Sequence, residues 1–211
     1  MLSVYSIFKS IQGEGLLMGI PTVFVRLAGC PLRCSWCDTA EARTASGKPM
    51  SIEQIVAEIE KTRLFYVCLT GGEPLMQKES ITLINKLIDK DYFIQLETSG
   101  ALPLEEVPCS ENVMISMDVK CPSSGMQDRM DMSNIELLSQ FDQLKFVIAD
   151  EADYLYAKKI MEENTINAAI IMTPVGGKDL EWLAKRVIRD KLKVRVLPQL
   201  HKLIWGDQPD R

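Results

Sequence analysis

The sequence predicts an α/β protein with a parallel sheet at its core, because short apolar segments alternate with amphipathic ones. Several segments are continuously apolar and rich in Val, Ile and Phe, as strands buried on both faces of a parallel sheet are. About six strand–helix units fit into 211 residues, whereas a closed eight-fold barrel takes about 250. Two architectures remain, an incompletely closed barrel and an open doubly wound sheet. In both, ligands collect at the carboxyl ends of the strands.

The strands are predicted from short runs rich in β-branched and aromatic residues. The run that contains Cys68 is an example, and it ends on the glycines at positions 71 and 72. The predicted strands comprise residues 5–8, 22–27, 65–70, 93–97, 113–117, 144–148, 168–172 and 194–197.

The helices are predicted from apolar residues that recur with the helical period. Ser51 and Gln54 form the S-x-x-Q pattern of a capping box, which marks a helix start. The predicted helices lie near residues 52–59, 79–89, 152–162 and 180–188.

The chain contains no repeat, no low-complexity stretch and no linker, so a single domain over residues 1–211 is expected. One segment, residues 121–133, is rich in Ser and Met and includes Pro122 and Gly125. This composition predicts a mobile loop that could serve as a lid.

The charge balance excludes several classes of partner. The chain has 24 basic and 29 acidic side chains, a net charge of −5, which gives no general attraction to nucleic acid or to anionic membranes. No apolar run approaches the roughly 20 residues that cross a bilayer, and residues 1–5 lack the basic region of a secretion signal. A cytoplasmic protein without nucleic-acid or membrane partners is expected.

Three of the six cysteines lie close together, directly after a predicted strand. Cys30, Cys34 and Cys37 are spaced by four and three residues in a loop with Gly29 and Pro31, so their thiolates can converge on one metal centre. Thiolates suit zinc or an iron–sulfur cluster. The other three cysteines, Cys68, Cys109 and Cys121, are scattered and are interpreted as small apolar side chains in or near the core.

The number of ligands favours an iron–sulfur cluster over zinc. A structural zinc site uses four ligands, but the remaining cysteines and His201 are isolated in the sequence. A [4Fe–4S] cluster with three cysteines leaves one iron open to a small molecule. Zinc remains the alternative.

The pattern C-x-x-x-C-x-x-C, with Trp36 before its last cysteine, resembles the radical S-adenosylmethionine (SAM) superfamily. The resemblance implies a single-domain, incomplete β/α barrel with a family-specific C-terminal segment. It also implies a [4Fe–4S] cluster on Cys30, Cys34 and Cys37, whose free iron binds the amino and carboxylate groups of SAM.

Further segments resemble the 7-carboxy-7-deazaguanine synthase family of this superfamily. They are Ile-Gln-Gly-Glu-Gly at residues 11–15, Phe-Val-Arg at 24–26, Trp-Cys-Asp-Thr at 36–39, Leu-Glu-Thr-Ser-Gly at 96–100 and the C-terminal residues 195–206.

This family resemblance implies a lyase of the 7-deazapurine pathway to queuosine and archaeosine. Such an enzyme converts 6-carboxy-5,6,7,8-tetrahydropterin to 7-carboxy-7-deazaguanine and ammonia. A 5′-deoxyadenosyl radical starts the ring contraction by taking hydrogen from C6 of the pterin. An electron donor such as flavodoxin or ferredoxin, a Mg²⁺ ion and a homodimer are implied as well.

The SAM contacts are assigned partly from the residues and partly from the resemblance. The glycines of Thr70-Gly71-Gly72-Glu73-Pro74 close a strand and let backbone groups approach a ligand. The stretch from Ser116 to Lys120 stands where some relatives have a shorter Ser-Pro-Lys. The resulting SAM contacts are Trp36, Asp38, Gly72, Glu73, Gly100, Ser116 and Lys120.

The resemblance implies that Gln12, Gly13, Glu14 and Thr98 bind the pterin, and an amide with a carboxylate suits a heterocycle with mixed donors and acceptors. Arg26 lies in an apolar strand, where an unpaired charge is costly. Either the substrate carboxylate or a protein carboxylate could pair with it.

Two assignments carry a structural alternative. The resemblance implies that Thr39 ligates Mg²⁺, which prefers oxygen ligands, but a threonine here could also be a helix cap or turn residue. His201 and Trp205 either pack on the pterin or complete the core.

Two other functions compete with the family assignment. One is a radical SAM glycyl-radical activase that acts on a partner protein, and the other is a non-catalytic iron–sulfur or zinc module. The segments at residues 12–15 and 37–39 would have no evident role in the activase. A fourth cysteine ligand, or failure of the reduced protein to cleave SAM, would favour the non-catalytic module.

Overall fold

The computed structural model describes residues 1–44, 46–206, 208 and 210. In these residues nine strands form one sheet in the order β3-β1-β2-β4-β5-β6-β7-β8-β9. The strands are β1 (Leu2–Ile11), β2 (Pro21–Leu27), β3 (Lys48–Met50), β4 (Tyr66–Gly71), β5 (Phe93–Thr98), β6 (Val113–Val119), β7 (Gln143–Ile148), β8 (Ala169–Pro174) and β9 (Arg195–Val196).

The α-helices cover the sheet, and short 3₁₀ turns occur in several of the loops. The helices are α1 (Ala40–Thr44), α2 (Ile52–Thr62), α3 (Glu79–Ile88), α4 (Asn134–Leu137), α5 (Glu151–Glu163), α6 (Leu180–Asp190) and α7 (Leu200–Trp205).

From β2 to β9 every neighbouring pair of strands is parallel. Their order follows the chain, without the reversal that defines a doubly wound sheet. The sheet stays open, with β3 and β9 at its edges. The α/β class and the incomplete barrel are therefore confirmed, and the doubly wound alternative is wrong.

The edge formed by β1 and β3 differs from the expected parallel arrangement. β1 pairs with β2 and with β3 in antiparallel orientation. The nine residues of the connection 12–20 are too few for a parallel crossover, which takes about a dozen or more. Strand β3 was not predicted, because Lys48-Pro49-Met50 lacks β-branched residues and contains a proline, which is tolerated at a sheet edge.

Helix α2 begins at the predicted capping box. The backbone N–H of Gln54 donates to Ser51 Oγ at 3.2 Å, and the backbone N–H of Ser51 donates to Gln54 Oε1 at 2.8 Å. The helix ends at Arg63, which has a left-handed φ of 57°. Its apolar side chains Ile55 and Ile59 are buried against the sheet.

The core has two parts. One joins β1, β2, β4 and β5 to α2 and α3, and the other joins β6, β7 and β8 to α5 and α6. Cys68 and Cys121 are buried as expected, but Cys109 is exposed. The prediction for Cys109 is wrong because this residue lies in the loop between β5 and β6, outside any element that packs on the sheet.

The segment 121–133 is more ordered than its composition predicted. It contains two 3₁₀ turns, Pro122–Ser124 and Gln127–Arg129. Ser123 donates from its backbone N–H and from its Oγ to the buried carboxylate of Asp153 on α5, at 2.8 and 2.5 Å. These bonds anchor the segment, in contrast to the mobile lid that was expected.

Within the described ranges, no helix combines the length and the apolar character needed to cross a bilayer.

Leu83→Ala tests the core beneath α3. Leu83 is fully buried, so its truncation should lower the free energy of unfolding by about 3 kcal/mol. Leu155→Ala on α5 is the matched control, because Leu155 is 54% exposed and should cost less than about 1 kcal/mol. Urea unfolding measures both, and equal losses would contradict this description of the core.

Candidate active site

A polar cleft lies at the carboxyl ends of the central strands, where the sequence predicted the ligands. It collects residues from the loops after β1 and β2, from the ends of β4 to β7, and from α7. The predicted site residues that line it are Gln12, Gly13, Glu14, Arg26, Cys30, Cys34, Trp36, Cys37, Asp38, Thr39, Gly72, Thr98, Ser116 and Lys120.

The three clustered cysteines lie in the loop between β2 and α1, and all are half-buried free thiols that face this cleft. The backbone N–H of Gly29 donates to the Ala42 carbonyl at 2.8 Å, and Arg43 Nη1 donates to the Cys34 carbonyl at 3.2 Å. Helix α1 therefore holds both the beginning and the middle of the cysteine loop.

The segment 121–133 supports the other side of the cysteine loop. Ser35 Oγ donates to the Ser123 carbonyl at 2.6 Å, and the backbone N–H of Ser35 donates to the Ser124 carbonyl at 3.1 Å. Trp36 Nε1 donates to Ser123 Oγ at 3.0 Å. Because Ser123 is itself bonded to Asp153, helix α5 is linked to the cysteine loop through one serine.

The donor set fits an iron–sulfur cluster. Burial raises the pKa of the Cys30 thiol and of the Cys34 thiol, and nearby Lys120 opposes that rise at Cys34. In the part of the chain that is described, no three His, Cys, Asp or Glu side chains lie close enough to hold one metal ion. A [4Fe–4S] cluster has no such requirement, because each thiolate binds a different iron.

The glycine pair after β4 packs directly on the cysteine loop. A Cβ atom on Gly72 would lie 2.0 Å from the Gly29 carbonyl oxygen, a distance that no side chain could occupy without moving the backbone. The backbone N–H of Glu73 donates to the same oxygen at 2.8 Å, and the backbone N–H of Gly72 donates to the Leu27 carbonyl at 2.9 Å. Glycine is therefore required here for close approach of two backbones.

The carboxylate of Glu73 is fully buried and lies beneath the cleft. It accepts hydrogen bonds from Thr98 Oγ1 at 2.9 Å, from the backbone N–H and the Oγ of Ser99 at 2.7 and 2.6 Å, and from the backbone N–H of Leu75 at 3.1 Å. Glu73 thus joins the end of β4 to the end of β5.

Gly100 also lies outside the lining of the cleft. Its φ is 70°, and a Cβ atom there would lie 2.9 Å from Met117 Cγ. Two of the residues predicted to contact SAM, Glu73 and Gly100, are therefore placed behind the surface of the cleft and not on it.

Gln12, in the loop after β1, lines the cleft and is almost fully buried. Its Nε2 donates to Gln95 Oε1 at 2.7 Å and to Glu97 Oε1 at 3.1 Å, while its Oε1 accepts from the backbone N–H of Glu14 at 3.1 Å. Glu97 also accepts from Thr70 Oγ1 at 3.0 Å and lines the cleft. This network fixes the loop that follows β1.

Glu14 is held by two residues that the sequence reasoning missed. Its Oε2 lies 2.5 Å from Lys145 Nζ, and its Oε1 accepts from Gln199 Nε2 at 2.7 Å. Burial by itself raises the pKa of Glu14, but the charge and hydrogen bond of Lys145, the hydrogen bond of Gln199 and the charge of His201 lower it to about 2. Glu14 is therefore a carboxylate at neutral pH.

A detectable signal for Lys145 was present in the sequence. Like Arg26, it is a cation inside an otherwise apolar strand, and such a charge needs a partner. All six residues of β7 are buried. The argument that selected Arg26 would have selected Lys145 as well.

Arg26 lies on β2 and reaches the cleft. Its guanidinium lies over the ring of Phe8 at 5.4 Å, and its Nε is 3.6 Å from Asp210 Oδ1. The Nε atom is buried and makes no hydrogen bond within the described residues. This arrangement leaves hydrogen-bonding capacity for an anion in the cleft.

Thr39 lies at the mouth of the cleft, directly before α1. Its Oγ1 donates to Asp38 Oδ1 at 3.4 Å and lies 4.0 Å from Cys37 Sγ. His201 lines the cleft and packs on Gly13, where an added Cβ atom would lie 2.1 Å from His201 Nδ1. Trp205 lies outside the lining.

The cleft and the fold define the class of this protein. The family model described as "Radical SAM superfamily" matches residues 24–136, which include all three clustered cysteines. The chain belongs to the radical SAM superfamily.

Full-length relatives show the particular family. The 7-carboxy-7-deazaguanine synthase of Methanospirillum hungatei JF-1 is 41% identical over 207 residues, covering 96% of this chain and 85% of that protein. The protein of the same name from Thermoplasma acidophilum is 34% identical over 206 residues, covering 98% of each chain. Within the superfamily, the chain belongs to the 7-carboxy-7-deazaguanine synthase family.

Solved structures agree on the fold. The structure titled "Crystal structure of QueE from Escherichia coli" matches with a TM-score of 0.71 and 22% identity, covering 93% of this chain and 94% of that chain. SuiB of Streptococcus suis, bound to its precursor peptide SuiA, matches with a TM-score of 0.60 and 13% identity, covering 80% of this chain and 46% of that one.

Glu73→Gln tests the buried carboxylate behind the cleft. The amide nitrogen of Gln is a donor, and it would replace a carboxylate oxygen that accepts hydrogen bonds. Two donors would then face each other, so the free energy of unfolding should fall by about 3 kcal/mol. Glu162→Gln is the control, because Glu162 is exposed on α5 and its change should be within about 0.5 kcal/mol. Urea unfolding compares the two, and a Glu73 variant as stable as the control would refute the bonding described.

Proposed function

We propose that this protein is a 7-carboxy-7-deazaguanine synthase that converts 6-carboxy-5,6,7,8-tetrahydropterin to 7-carboxy-7-deazaguanine and ammonia. The observation that carries the proposal is one cleft lined both by three free thiols and by the polar group of Gln12, Glu14 and Arg26. The relatives of that name, aligned along nearly the whole chain, support the same reaction.

Cys30, Cys34 and Cys37 would hold a [4Fe–4S] cluster, and its fourth iron would bind SAM. When bound, this pair supplies the 5′-deoxyadenosyl radical that initiates the ring contraction. Trp36 is fixed by its bond to Ser123, and Lys120 Nζ lies 5.5 Å from the centre of its ring. The SAM contacts proposed at the surface of the cleft are Trp36, Asp38, Gly72, Ser116 and Lys120.

Glu73 and Gly100 belong to the proposed SAM site in a supporting role. Glu73 fixes Thr98 and Ser99 at the end of β5. Gly100 allows the chain to turn behind them, because its positive φ would strain any other residue. Both residues therefore shape the backbone on which the cofactor would rest.

The pterin would bind at the end of the cleft formed by Gln12, Gly13 and Glu14. The Glu14 carboxylate accepts hydrogen bonds and so suits the N–H groups of the pterin ring edge, while Arg26 suits the carboxylate of the substrate. Thr98 also lines the cleft, with its hydroxyl oriented by Glu73. These residues orient the substrate, and the surrounding walls exclude water.

Thr39 is the proposed protein ligand of a Mg²⁺ ion beside the substrate. Its hydroxyl is at the cleft next to the Asp38 carboxylate. Mg²⁺ keeps most of its octahedral shell for water and substrate, so one protein oxygen is sufficient. The ion would neutralise the substrate carboxylate.

The remaining proposals concern the setting of the enzyme. Residues 1–211 are proposed to form one domain, supported by the single sheet of the described residues. Six free thiols suit a reducing compartment, hence a cytoplasmic location. A reduced flavodoxin or ferredoxin is proposed as the electron donor, and a homodimer as the assembly.

Anaerobic reconstitution of the cluster, followed by reduction and incubation with SAM and the carboxytetrahydropterin, tests the proposed function. Mass spectrometry should detect 7-carboxy-7-deazaguanine, and a colorimetric assay should detect an equal amount of ammonia. Formation of 5′-deoxyadenosine without the deazaguanine would place the chain in the superfamily but refute the proposed substrate.

Cys34→Ala should abolish cluster assembly and product formation, because the site would retain only two thiolates. Iron content and visible absorbance measure the cluster, and the pterin assay measures turnover. Cys109→Ala is the matched control, since Cys109 is exposed and lies outside the cleft. It should retain both properties, and full activity of Cys34→Ala would refute the cluster assignment.

Thr39→Ala should leave the iron content unchanged and weaken the response to Mg²⁺. The Mg²⁺ concentration that gives half the maximal rate should rise by about tenfold or more, because one oxygen ligand is lost. Thr39→Ser retains the hydroxyl and should restore the parent response. A Mg²⁺ titration of Thr39→Ala that matches the parent would make Thr39 a structural residue.

A further inference from the structure

Strand β7 carries two polar side chains on one face, and one of them, Lys145, lines the cleft. Gln143 and Lys145 are two residues apart, so they share a face of the sheet, and both are buried. Neither residue belongs to the site that the sequence predicted. Their partners lie in two different parts of the proposed active site.

Lys145 and Gln143 each bridge the loop after β1 to strand β6. Lys145 Nζ lies 2.5 Å from Glu14 Oε2 and 3.2 Å from Asp118 Oδ1. Gln143 Oε1 accepts from the backbone N–H of Leu16 at 2.7 Å, and its Nε2 donates to Ser116 Oγ at 2.7 Å. Both side chains therefore connect the loop after β1 to strand β6.

Through Lys145, the loop after β1 is connected to the cysteine loop. Glu14 is on the pterin side, whereas Ser116 and Asp118 lie on one face of β6. Asp118 Oδ2 accepts from Lys120 Nζ at 3.0 Å, and Lys120 lies over the ring of Trp36. A row of alternating charges therefore runs from Glu14 through Lys145 and Asp118 to Lys120.

We propose that Lys145 is a positioning residue for substrate binding, which holds the Glu14 carboxylate toward the pterin at a fixed distance from strand β6. This inference rests on the proposed function and deepens it. A carboxylate that accepts hydrogen bonds from two pterin N–H groups must be both charged and fixed in orientation. Lys145 supplies the charge that keeps it so, and Asp118 fixes the position of Lys145.

Several charged groups face this pair. Lys145 is surrounded by Glu14, by Asp118 on β6 and by Glu97 on β5, with Lys120 farther along the row, and Glu14 also faces His201 on α7. Burial by itself lowers the pKa of Lys145, but the three carboxylates raise it well above its ordinary value. Lys145 is therefore charged at neutral pH.

Removal of the Lys145 charge should make the affinity for the pterin depend on pH. Burial then acts on Glu14 with much less opposition, so the pKa of its carboxyl rises from about 2 and the group becomes protonated as the pH falls. Below the new pKa, a site that needs the carboxylate loses affinity by about tenfold for each pH unit. In the parent protein Glu14 stays ionised between about pH 5.5 and about pH 7.5, because its pKa is about 2.

The test is anaerobic titration calorimetry of the cluster-loaded, unreduced enzyme with 6-carboxy-5,6,7,8-tetrahydropterin at about pH 7.5 and about pH 5.5. In Lys145→Met the dissociation constant should rise on acidification by about tenfold more than in the parent. Ionisation of the pterin itself affects both proteins equally, so only the difference between them is informative.

Lys145→Gln guards against a folding defect, because it keeps an amide donor in the site but carries no charge. It should show the same acid-dependent loss, and it decides the test alone if the methionine variant does not fold. Glu14→Gln combined with Lys145→Gln removes the titrating carboxyl and should abolish the additional pH dependence. Lys158→Met is the control, because Lys158 pairs with Asp190 away from the cleft, and should behave as the parent.

Pterin binding by Lys145→Gln with the pH response of the parent would overturn the inference. An additional acid-dependent loss that persists in the double variant would also overturn it, since Glu14 would not be the group that titrates. Failure of the parent to bind the pterin at either pH would instead refute the proposed function, and this inference with it.

Discussion

The close packing of two backbones, β4 at its glycine pair and the segment that follows β2, is the contact on which the rest of the site depends. Gly72 lies against Gly29 with no room for a side chain, and two backbone hydrogen bonds join the segments. This contact places the cysteine loop beside the carboxyl ends of β4 and β5. Glu73 extends the connection to β5. The cysteines would otherwise lie on a loop with no defined position relative to the elements that carry the side chains proposed to bind the pterin.

A second part of the cleft, from the loop after β1 to Lys120 beside Trp36, is organised by charge. Glu14, Lys145, Asp118 and Lys120 form a row, buried at Lys145 and partly buried at the other three, in which each carboxylate lies between cations or amide donors. Burial of one such charge alone would be costly, so each member requires the others. This row of ion pairs acts through charge, whereas the contact at the cysteine loop acts through backbone packing. The cysteine loop is fixed by backbone packing that leaves no space for an added side chain. The charged row is fixed by ion pairs, in which each charge needs its partner.

Much of the fold was accessible from local patterns. Strands β2 and β4 to β9 and the helices α2, α3, α5 and α6 follow from apolar runs and helical periodicity, because burial on a sheet or against it imposes those periods. The antiparallel edge was not accessible, since the direction of β1 depends on the length of the connection to β2 and on pairing with β3. The segment 121–133 was misjudged for a related reason. Its serines and proline are typical of a loose loop, but the distant Asp153 binds Ser123 and orders the segment.

The chemistry was determined by the sequence alone to the extent that it depends on residue types at short spacing. Three thiols within eight residues predict an iron–sulfur cluster with an open position, with zinc as the alternative, and no tertiary information is needed for that prediction. Tertiary structure decided which of the other predicted residues face the cleft. Glu73 and Gly100 lie behind it, whereas Lys145, Asp118, Glu97 and Gln199 lie in it. The physical reason is that a polar side chain in a buried strand needs a partner, and that partner comes from another strand or loop whose distance along the chain is unrelated to its distance in space.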